Sequence, residues 1–188
     1  GLISFGNVAR AVAKRAFPFG VNIISYDPYV AETVMIDHGV SPVSLAELLT
    51  QSDIISMHAP GGDQTLKMIT KKHFKLMKNT ALFINNGRGS TVDEEYLIQA
   101  LKNNWIAGAG LDVLEKEPPN PDNPLLQLEN VILTPHVASA SSRFDPARRR
   151  RMGVEVSLVL SGKWPTGCVN PEILNNSNLR RWQPYSIR

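Results

Sequence analysis

The stretch GLISFGNVARAVAKRAF, residues 1–17, decides the fold. A short β-branched run, LISF, gives way around Gly6 to the helical pattern VARAVAKRAF, the strand–turn–helix order that opens a dinucleotide-binding βαβ unit. In such a unit one glycine allows the tight turn, a second lets backbone approach a pyrophosphate, and a third small residue lets the helix pack closely on the strand. Those positions fall on Ser4, Gly6 and Ala9. The middle glycine is in place and alanine is small enough for the third position. Ser4 costs turn freedom if φ there is positive, but it does not block a phosphate. Gly6, Asn7 and Val8 are therefore the candidate contacts to a diphosphate, although a G-x-x-A turn after a short strand is a weak signal alone.

Asp27 strengthens the reading. It closes the next apolar run, VNIISYD, 21 residues after Gly6, where a carboxylate accepts the hydroxyls of an adenosine ribose and repels a 2′-phosphate. Pro28 and Tyr29 follow it, with no arginine to receive such a phosphate, so NAD is favoured over NADP.

Further along, β-branched runs alternate with helical patterns: VAETVMIDHG, SDIISMHAP, TKKHFKLMK, TALFINNG, DEEYLIQALKNN, IAGAGLDVL and NVILTPH. Near-continuous apolar strands separated by amphipathic helices predict an α/β domain with a doubly wound parallel sheet covered on both faces. Two segments break the rhythm. EKEPPNPDNPLLQLEN packs four prolines into a loop, and FDPARRRRMGVEVSLVLSG reads as one long helix ended by Gly162. The remainder, KWPTGCVNPEILNNSNLRRWQPYSIR, has little periodicity and is expected to be a strap that needs another surface. The division expected is a Rossmann-type domain over 1–140, then a linking helix and C-terminal element over 141–188.

Composition narrows the function classes. With 188 residues and 43% hydrophobic content the chain can bury a real core. Its one cysteine, Cys168, leaves no internal disulfide and points to a reducing, cytoplasmic compartment. No apolar run approaches the roughly 18–20 residues that span a bilayer, so no membrane role is expected. Much of the +3 net charge sits in Arg148 to Arg151, without interleaved aromatics, which reads as an ion-paired helix face and not as a nucleic-acid surface. His38 and His73 lie in helical patterns outside any motif and are expected at the surface; no metal site is expected.

Three stretches carry polar groups at the carboxyl ends of predicted strands, where open α/β sheets bind ligands: INNGRGSTVDEEYLIQAL, GAGLDVLEKEP and LTPHVAS. Together with SDIISMHAP they closely resemble the D-isomer-specific 2-hydroxyacid dehydrogenases, over nearly the whole chain to VNPE at residues 169–172. The resemblance implies hydride transfer between NAD and a small 2-oxo or 2-hydroxy acid. It places on Arg88, in its N-x-x-R-G context, a buried fork for the substrate carboxylate. On His136 it places the acid–base group, and on Glu117 the partner that holds the imidazolium. Asp112 is similar to an aspartate meeting the nicotinamide carboxamide. His58, Ala59 and Pro60 resemble a tripeptide on the adenine–ribose side, and Asn86 and Gly87 resemble residues whose backbone meets the nicotinamide ribose. Gly87 is a departure, since a residue with a Cβ is commoner there, and this questions local rigidity. Thr65 resembles a polar residue near the cofactor, which helix capping explains almost equally well.

The same resemblance implies a cofactor domain inserted into a discontinuous substrate domain, so a chain opening in the first cofactor strand is expected to be a fragment, weak in NAD binding and negligible in turnover. A homodimer is expected too, with the apolar NPLLQLENV as the motive in this sequence. Two other readings stay open: an NAD-sensing corepressor-like protein, and a phosphite or formate dehydrogenase of the same superfamily.

Overall fold

Seven short strands form one parallel sheet: β1 (Leu2–Ile3), β2 (Ile24–Tyr26), β3 (Ser41–Pro42), β4 (Ile54–Met57), β5 (Leu82–Asn85), β6 (Gly108–Leu111) and β7 (Val131–Leu133). Their order is β3-β2-β1-β4-β5-β6-β7. This computed structural model describes residues 1–181. The chain winds outward from β1 to β3, then crosses back to place β4 against the other side of β1, with Leu2 paired to Ser25 and to Ser56. The carboxyl ends of β1 and β4 therefore lie side by side at the point where winding reverses, the position at which open parallel sheets leave a crevice. The apolar rhythm predicted this doubly wound sheet, and its cause is visible in the core: Ile3, Ile55, Met57, Phe83 and Leu111 are buried because helices cover them.

The helices are α1 (Asn7–Ala16), α2 (Glu32–Asp37), α3 (Leu45–Gln51), α4 (Lys71–Phe74), α5 (Glu94–Lys102) and α6 (Phe144–Leu160). Ala9 and Ala13 are the buried face of α1 and pack with Leu2, Phe5, Ile23, Met35 and Val40. Small side chains at these two positions let α1 approach the sheet closely, as the third small residue of the opening motif requires. Two elements are absent from the sequence reading. One is α3, which starts at a reciprocal cap: Ser44 accepts from the Glu47 amide while Glu47 accepts from the Ser44 amide. The other is the two-residue edge strand β3, too short to give any alternation. TKKHFKLMK is helical only over Lys71–Phe74. His73, expected at the surface, is half-buried and accepts the Thr70 amide through Nδ1 at 3.0 Å, closing the start of α4. His38 is exposed, edge-on to Phe5.

The proline-rich loop contains a short 3-10 turn at Pro124–Leu126, capped by Asn123. Leu125 from this turn is fully buried in the main core, and Leu128 packs against it. Of the apolar residues in NPLLQLENV, Leu125, Leu128 and Val131 are thus accounted for inside the chain, while Leu126 stays 46% exposed.

Contacts divide the chain into two units, Gly1–Ala138 and Ser139–Arg188. Within the second, Asp145 pairs with Arg148 at 2.7 Å and with Arg149 at 2.8 Å, and Arg151 pairs with Glu155 at 2.7 Å. Gly162, at φ 72°, ends α6: its amide donates to Val159 and the Lys163 amide to Leu158, so the last carbonyls are satisfied. The segment after Gly162 was expected to be a strap without partners of its own. Instead it folds back within its unit. Trp164 donates its amide to Arg180 O at 2.8 Å and its indole N–H to Leu179 O at 3.0 Å, and the Thr166 amide donates to Glu155 at 2.7 Å. The part of that expectation covering residues 182–188 lies outside the described residues. Among the described residues no helix is long and apolar enough to cross a membrane.

Candidate active site

Most of the residues singled out from the sequence sit just past the carboxyl end of a strand, and Thr65 and Glu117 lie further along the loops that follow β4 and β6. Ser4 to Val8 follow β1, Asp27 follows β2, and His58 to Pro60 follow β4. Asn86 to Arg88 follow β5, Asp112 follows β6, and His136 comes three residues after β7. A parallel sheet makes this convergence automatic, because all its strands end on one side.

At the first of these ends the chain turns through Ser4, at φ 74°, into α1. Gly6 is the N-cap of α1, no side chain caps that end, and the first turn carries no acidic residue. A Cβ built on Gly6 would meet nothing within 4 Å. No neighbour in the chain requires glycine there, so the open space is what a diphosphate approaching the free amides would occupy. Asn7 and Val8 flank it, both exposed.

Beside this turn lies a cleft of about 590 Å³ whose wall includes Ser4, Asp27, Tyr29, Ala59, Pro60 and Thr65. Asp27 accepts the Phe5 amide at 2.8 Å, the Tyr29 amide at 2.8 Å and the Ser4 hydroxyl at 3.0 Å. Partial burial alone would raise the Asp27 carboxyl; the hydrogen bonds from Phe5, Tyr29, Ser4 and Val30 outweigh it and hold the group below the ordinary carboxylate range. The uncapped α1 terminus, the open space at Gly6 and an anionic Asp27 together fit a dinucleotide with an unmodified adenosine ribose. Thr65 lines the cleft as well, and its hydroxyl closes the turn below by donating to Pro60 O at 2.5 Å, so helix capping is not its role. His58 is not part of the cleft wall. Its Nε2 is buried without a hydrogen-bond partner among the described residues, and burial pushes its pKa down to about 4.

From the cleft a chain of close contacts leads across the sheet. Gly87 sits under the carbonyls of Met57 and Ala59; a Cβ there would stand 3.4 and 3.3 Å from those oxygens. Its rigidity comes from Asn85, which accepts the Gly87 amide at 3.0 Å and donates to Arg88 O at 3.1 Å. Thr91 donates to the same Arg88 carbonyl at 2.6 Å. Arg88 itself was expected as a buried fork. It is exposed, with Nη1 donating to Gly87 O at 2.8 Å, because the surroundings at this end of β5 leave its guanidinium facing solvent. Next to it, Gly89 is pressed on the backbone of Leu114. The Leu114 amide in turn donates to Glu117 at 3.0 Å.

Glu117 and His136 meet at 2.7 Å through Nδ1, with their side chains 37% and 49% exposed. The hydrogen bond from His136 is the first reason the Glu117 carboxyl titrates below its ordinary range. An ionised carboxylate only accepts, so Nδ1 carries the proton and Nε2 is the nitrogen left to exchange one with a ligand. His136 is held at φ 53° by its own amide, which donates to Asp112 O at 2.9 Å. Asp112 is 4% exposed and its carboxylate takes the Thr134 hydroxyl at 2.6 Å and the amides of Val137 and Ala138 at 2.8 and 2.9 Å. These three donors make Asp112 the clamp of the histidine turn.

Burial would raise the Asp112 carboxyl; the hydrogen bonds from Thr134, Ala138 and Val137 prevail and lower it. A depressed carboxyl pKa gives stability that is present above the unfolded value near about pH 4 and is lost as pH falls through the folded value. Asp112→Asn, which sets an N–H against donors, is expected to destabilise the protein by about 1–3 kcal/mol at neutral pH. The gap between variant and native protein should shrink as pH falls below about 4. Chemical denaturation at pH 7 and at pH 3 checks both statements.

Residues 1–138 match the family model described as D-isomer specific 2-hydroxyacid dehydrogenase, NAD binding domain. The chain belongs to this family. It is 42% identical over 174 residues to a glyoxylate reductase of Korarchaeum cryptofilum, an alignment covering 93% of this chain and 52% of that protein. It is 38% identical over 188 residues to a D-3-phosphoglycerate dehydrogenase of Methanocaldococcus jannaschii, covering 100% of this chain and 36% of the relative. Among solved structures, the NAD-complexed D-isomer specific 2-hydroxyacid dehydrogenase of Lactobacillus delbrueckii ssp. bulgaricus superposes with a TM-score of 0.83 at 31% identity, over 90% of this chain and 55% of that one. The chain thus spans about half the length of such dehydrogenases, or less.

Several residues that build the site of this dehydrogenase-family chain went unread in the sequence. Asn85 entered only as the first letter of N-x-x-R-G, with no role of its own; a buried asparagine ending the apolar strand LFIN was the signal for one, since a buried amide demands partners. Thr134 and Thr91 gave none, because a threonine at a strand end or turn is ordinary. Lys67, at φ 46°, ties the loop after Thr65 to Glu115 at 3.1 Å, and the Glu115 amide donates to Glu94 at 2.8 Å, anchoring the segment that carries Glu117. Among the described residues no group of three or more His, Cys, Asp or Glu side chains could hold a metal ion.

Proposed function

We propose that the protein is an NAD-dependent oxidoreductase that interconverts a small 2-oxo acid and its D-2-hydroxy acid, in a cytoplasmic homodimer of the kind the family resemblance implies. The observation that carries the reading is the 2.7 Å His136–Glu117 pair, standing one loop away from the Arg88 turn at the ligand end of the sheet. Relatives named glyoxylate reductase and D-3-phosphoglycerate dehydrogenase support the substrate class. Gly6, Asn7 and Val8 would receive the diphosphate, Asp27 and the cleft beside Ala59, Pro60 and Thr65 the adenosine, and the backbone of Asn86 and Gly87 the nicotinamide ribose. Bound NADH supplies the hydride to C2 of the substrate.

Arg88, exposed and able to exchange its bond to Gly87 O for a ligand, pairs its planar fork with the substrate carboxylate and draws electron density from the adjacent carbonyl. His136 delivers the Nε2 proton to the oxygen as it becomes an alkoxide, and Glu117 steadies the imidazolium until that moment. In the reverse direction neutral His136 takes the hydroxyl proton.

The reading is tested by steady-state NADH oxidation with a panel of 2-oxo acids that includes glyoxylate, run on the full-length protein; turnover with none of them would refute it. Sedimentation of the same preparation as a concentration-independent monomer would remove the dimer from it. NADH is expected to bind much more tightly than NADPH, because the Asp27 carboxylate faces the 2′ position. Asp27→Ala should narrow that difference, and equal affinities in the unmodified protein would count against the assignment of Asp27.

A further inference from the structure

We propose that Ser4 is a cofactor-binding residue whose hydroxyl, joined to Asp27, completes the acceptor site for a ribose with both hydroxyls free. The inference rests on reading the cleft as the adenosine–ribose pocket. Ser4 stands where a glycine would turn the chain at least cost, and it does so at φ 74°, a region that side chains with a Cβ rarely adopt. A non-glycine residue held in such a conformation at the wall of a ligand cleft points to a task for its side chain.

That task follows from the hydrogen-bond inventory of Asp27. A carboxylate accepts about four hydrogen bonds. Oδ2 takes the Phe5 amide at 2.8 Å and the Ser4 hydroxyl at 3.0 Å, and Oδ1 takes the Tyr29 amide at 2.8 Å. With these three donors and the Val30 amide from its own chain in place, Asp27 alone lacks room for both donors of a ribose diol. The Ser4 hydroxyl hydrogen is directed to Asp27, which leaves its oxygen lone pairs as acceptors next to the carboxylate. One ribose hydroxyl can then donate to Ser4, and the other to Asp27 in place of the Val30 amide, the smallest of its four contributors. A 2′-phosphate, which offers only acceptors near neutral pH apart from a proton it sheds, meets two acceptor oxygens in place of one. Serine here therefore sharpens the preference that Asp27 sets by charge.

Ser4→Gly separates this role from a structural one. It removes the hydroxyl and relieves the positive-φ residue, so the melting temperature should stay the same or rise. The NADH dissociation constant, read by fluorescence titration, should increase about 3- to 10-fold, the loss of one hydrogen bond. Of two analogues lacking either the 2′- or the 3′-hydroxyl of the adenosine ribose, one should bind the native protein and the variant equally. Asp27→Ala is titrated alongside. If Asp27→Ala weakens NADH binding and Ser4→Gly leaves it unchanged, the role of Ser4 is overturned while the pocket stands. If Asp27→Ala leaves it unchanged as well, the pocket is misread and the inference falls with it.

Discussion

His136→Asn is expected to lower turnover by about 10²-fold or more. Asparagine keeps an amide on the side that faces Glu117, so the loop retains a hydrogen bond in place of the 2.7 Å contact, while the group that exchanges a proton at Nε2 is gone. Loss of rate with little change in melting temperature would identify a chemical role. Glu117→Gln separates charge from geometry. The glutamine carbonyl can still accept the Leu114 amide, which Glu117 accepts at 3.0 Å, but the negative partner disappears. The same hydrogen bond that holds the Glu117 carboxyl below its ordinary range is weakened, so in hydroxy-acid oxidation, where neutral His136 is the base, the acid-side limb of the pH–rate profile should move to lower pH. The two variants must differ in kind: one loses rate at every pH, the other shifts the profile. Identical profiles for native protein and Glu117→Gln would refute the pairing.

Gly89→Ala is expected to disturb the protein more than the same change at the other glycines, since no other Cβ would lie as close to backbone. Its Cβ would lie 1.9 Å from Leu114 O and 2.6 Å from the Glu115 amide nitrogen, both backbone atoms that cannot rotate away. Either the Arg88 turn or the Leu114–Glu117 segment has to move, and overpacking of this kind costs about 1–3 kcal/mol. Since Arg88 precedes Gly89 and Glu117 is tied to Leu114, the shift separates the two halves of the proposed site, and a displacement near 1 Å can lower activity about 10²-fold. A denaturation midpoint and kcat/KM measured together test this. An alanine variant with native stability and native kcat/KM would show that the contact does not constrain the site. The equivalent change at Gly6, where a Cβ meets open space, should leave stability nearly unaltered and act on cofactor binding alone.

These two glycines mark the boundary between what a sequence can tell and what it cannot. Gly6 was legible because its neighbours follow a local pattern: strand, turn, small residue one helical turn on, carboxylate at the end of the next strand. Gly89 reads only as part of N-x-x-R-G, and the reason for it, a carbonyl 25 residues away in the chain, is invisible until β5 and β6 lie side by side. Arg88 taught the same lesson in reverse: its residue type announces a carboxylate ligand, but burial is a property of packing, and it stands exposed.

By itself the sequence determined the parallel doubly wound sheet, because apolar runs at strand length between amphipathic helices have no other way to bury both faces. It also determined which residues sit at the ligand end, since strand ends in a parallel sheet share one side. Tertiary structure alone decided the rest. It showed that Ser4 turns at positive φ and shares Asp27, that Asn85 and Thr91 brace the Arg88 turn, and that three donors clamp Asp112. It also seated Leu125 in the core and folded the segment after Gly162 against its own unit. The physical reason is range. Periodicity and turn chemistry act over a few neighbouring residues and are written in order along the chain, whereas hydrogen-bond partners and close approaches join residues tens of positions apart and exist only once the sheet has brought them together.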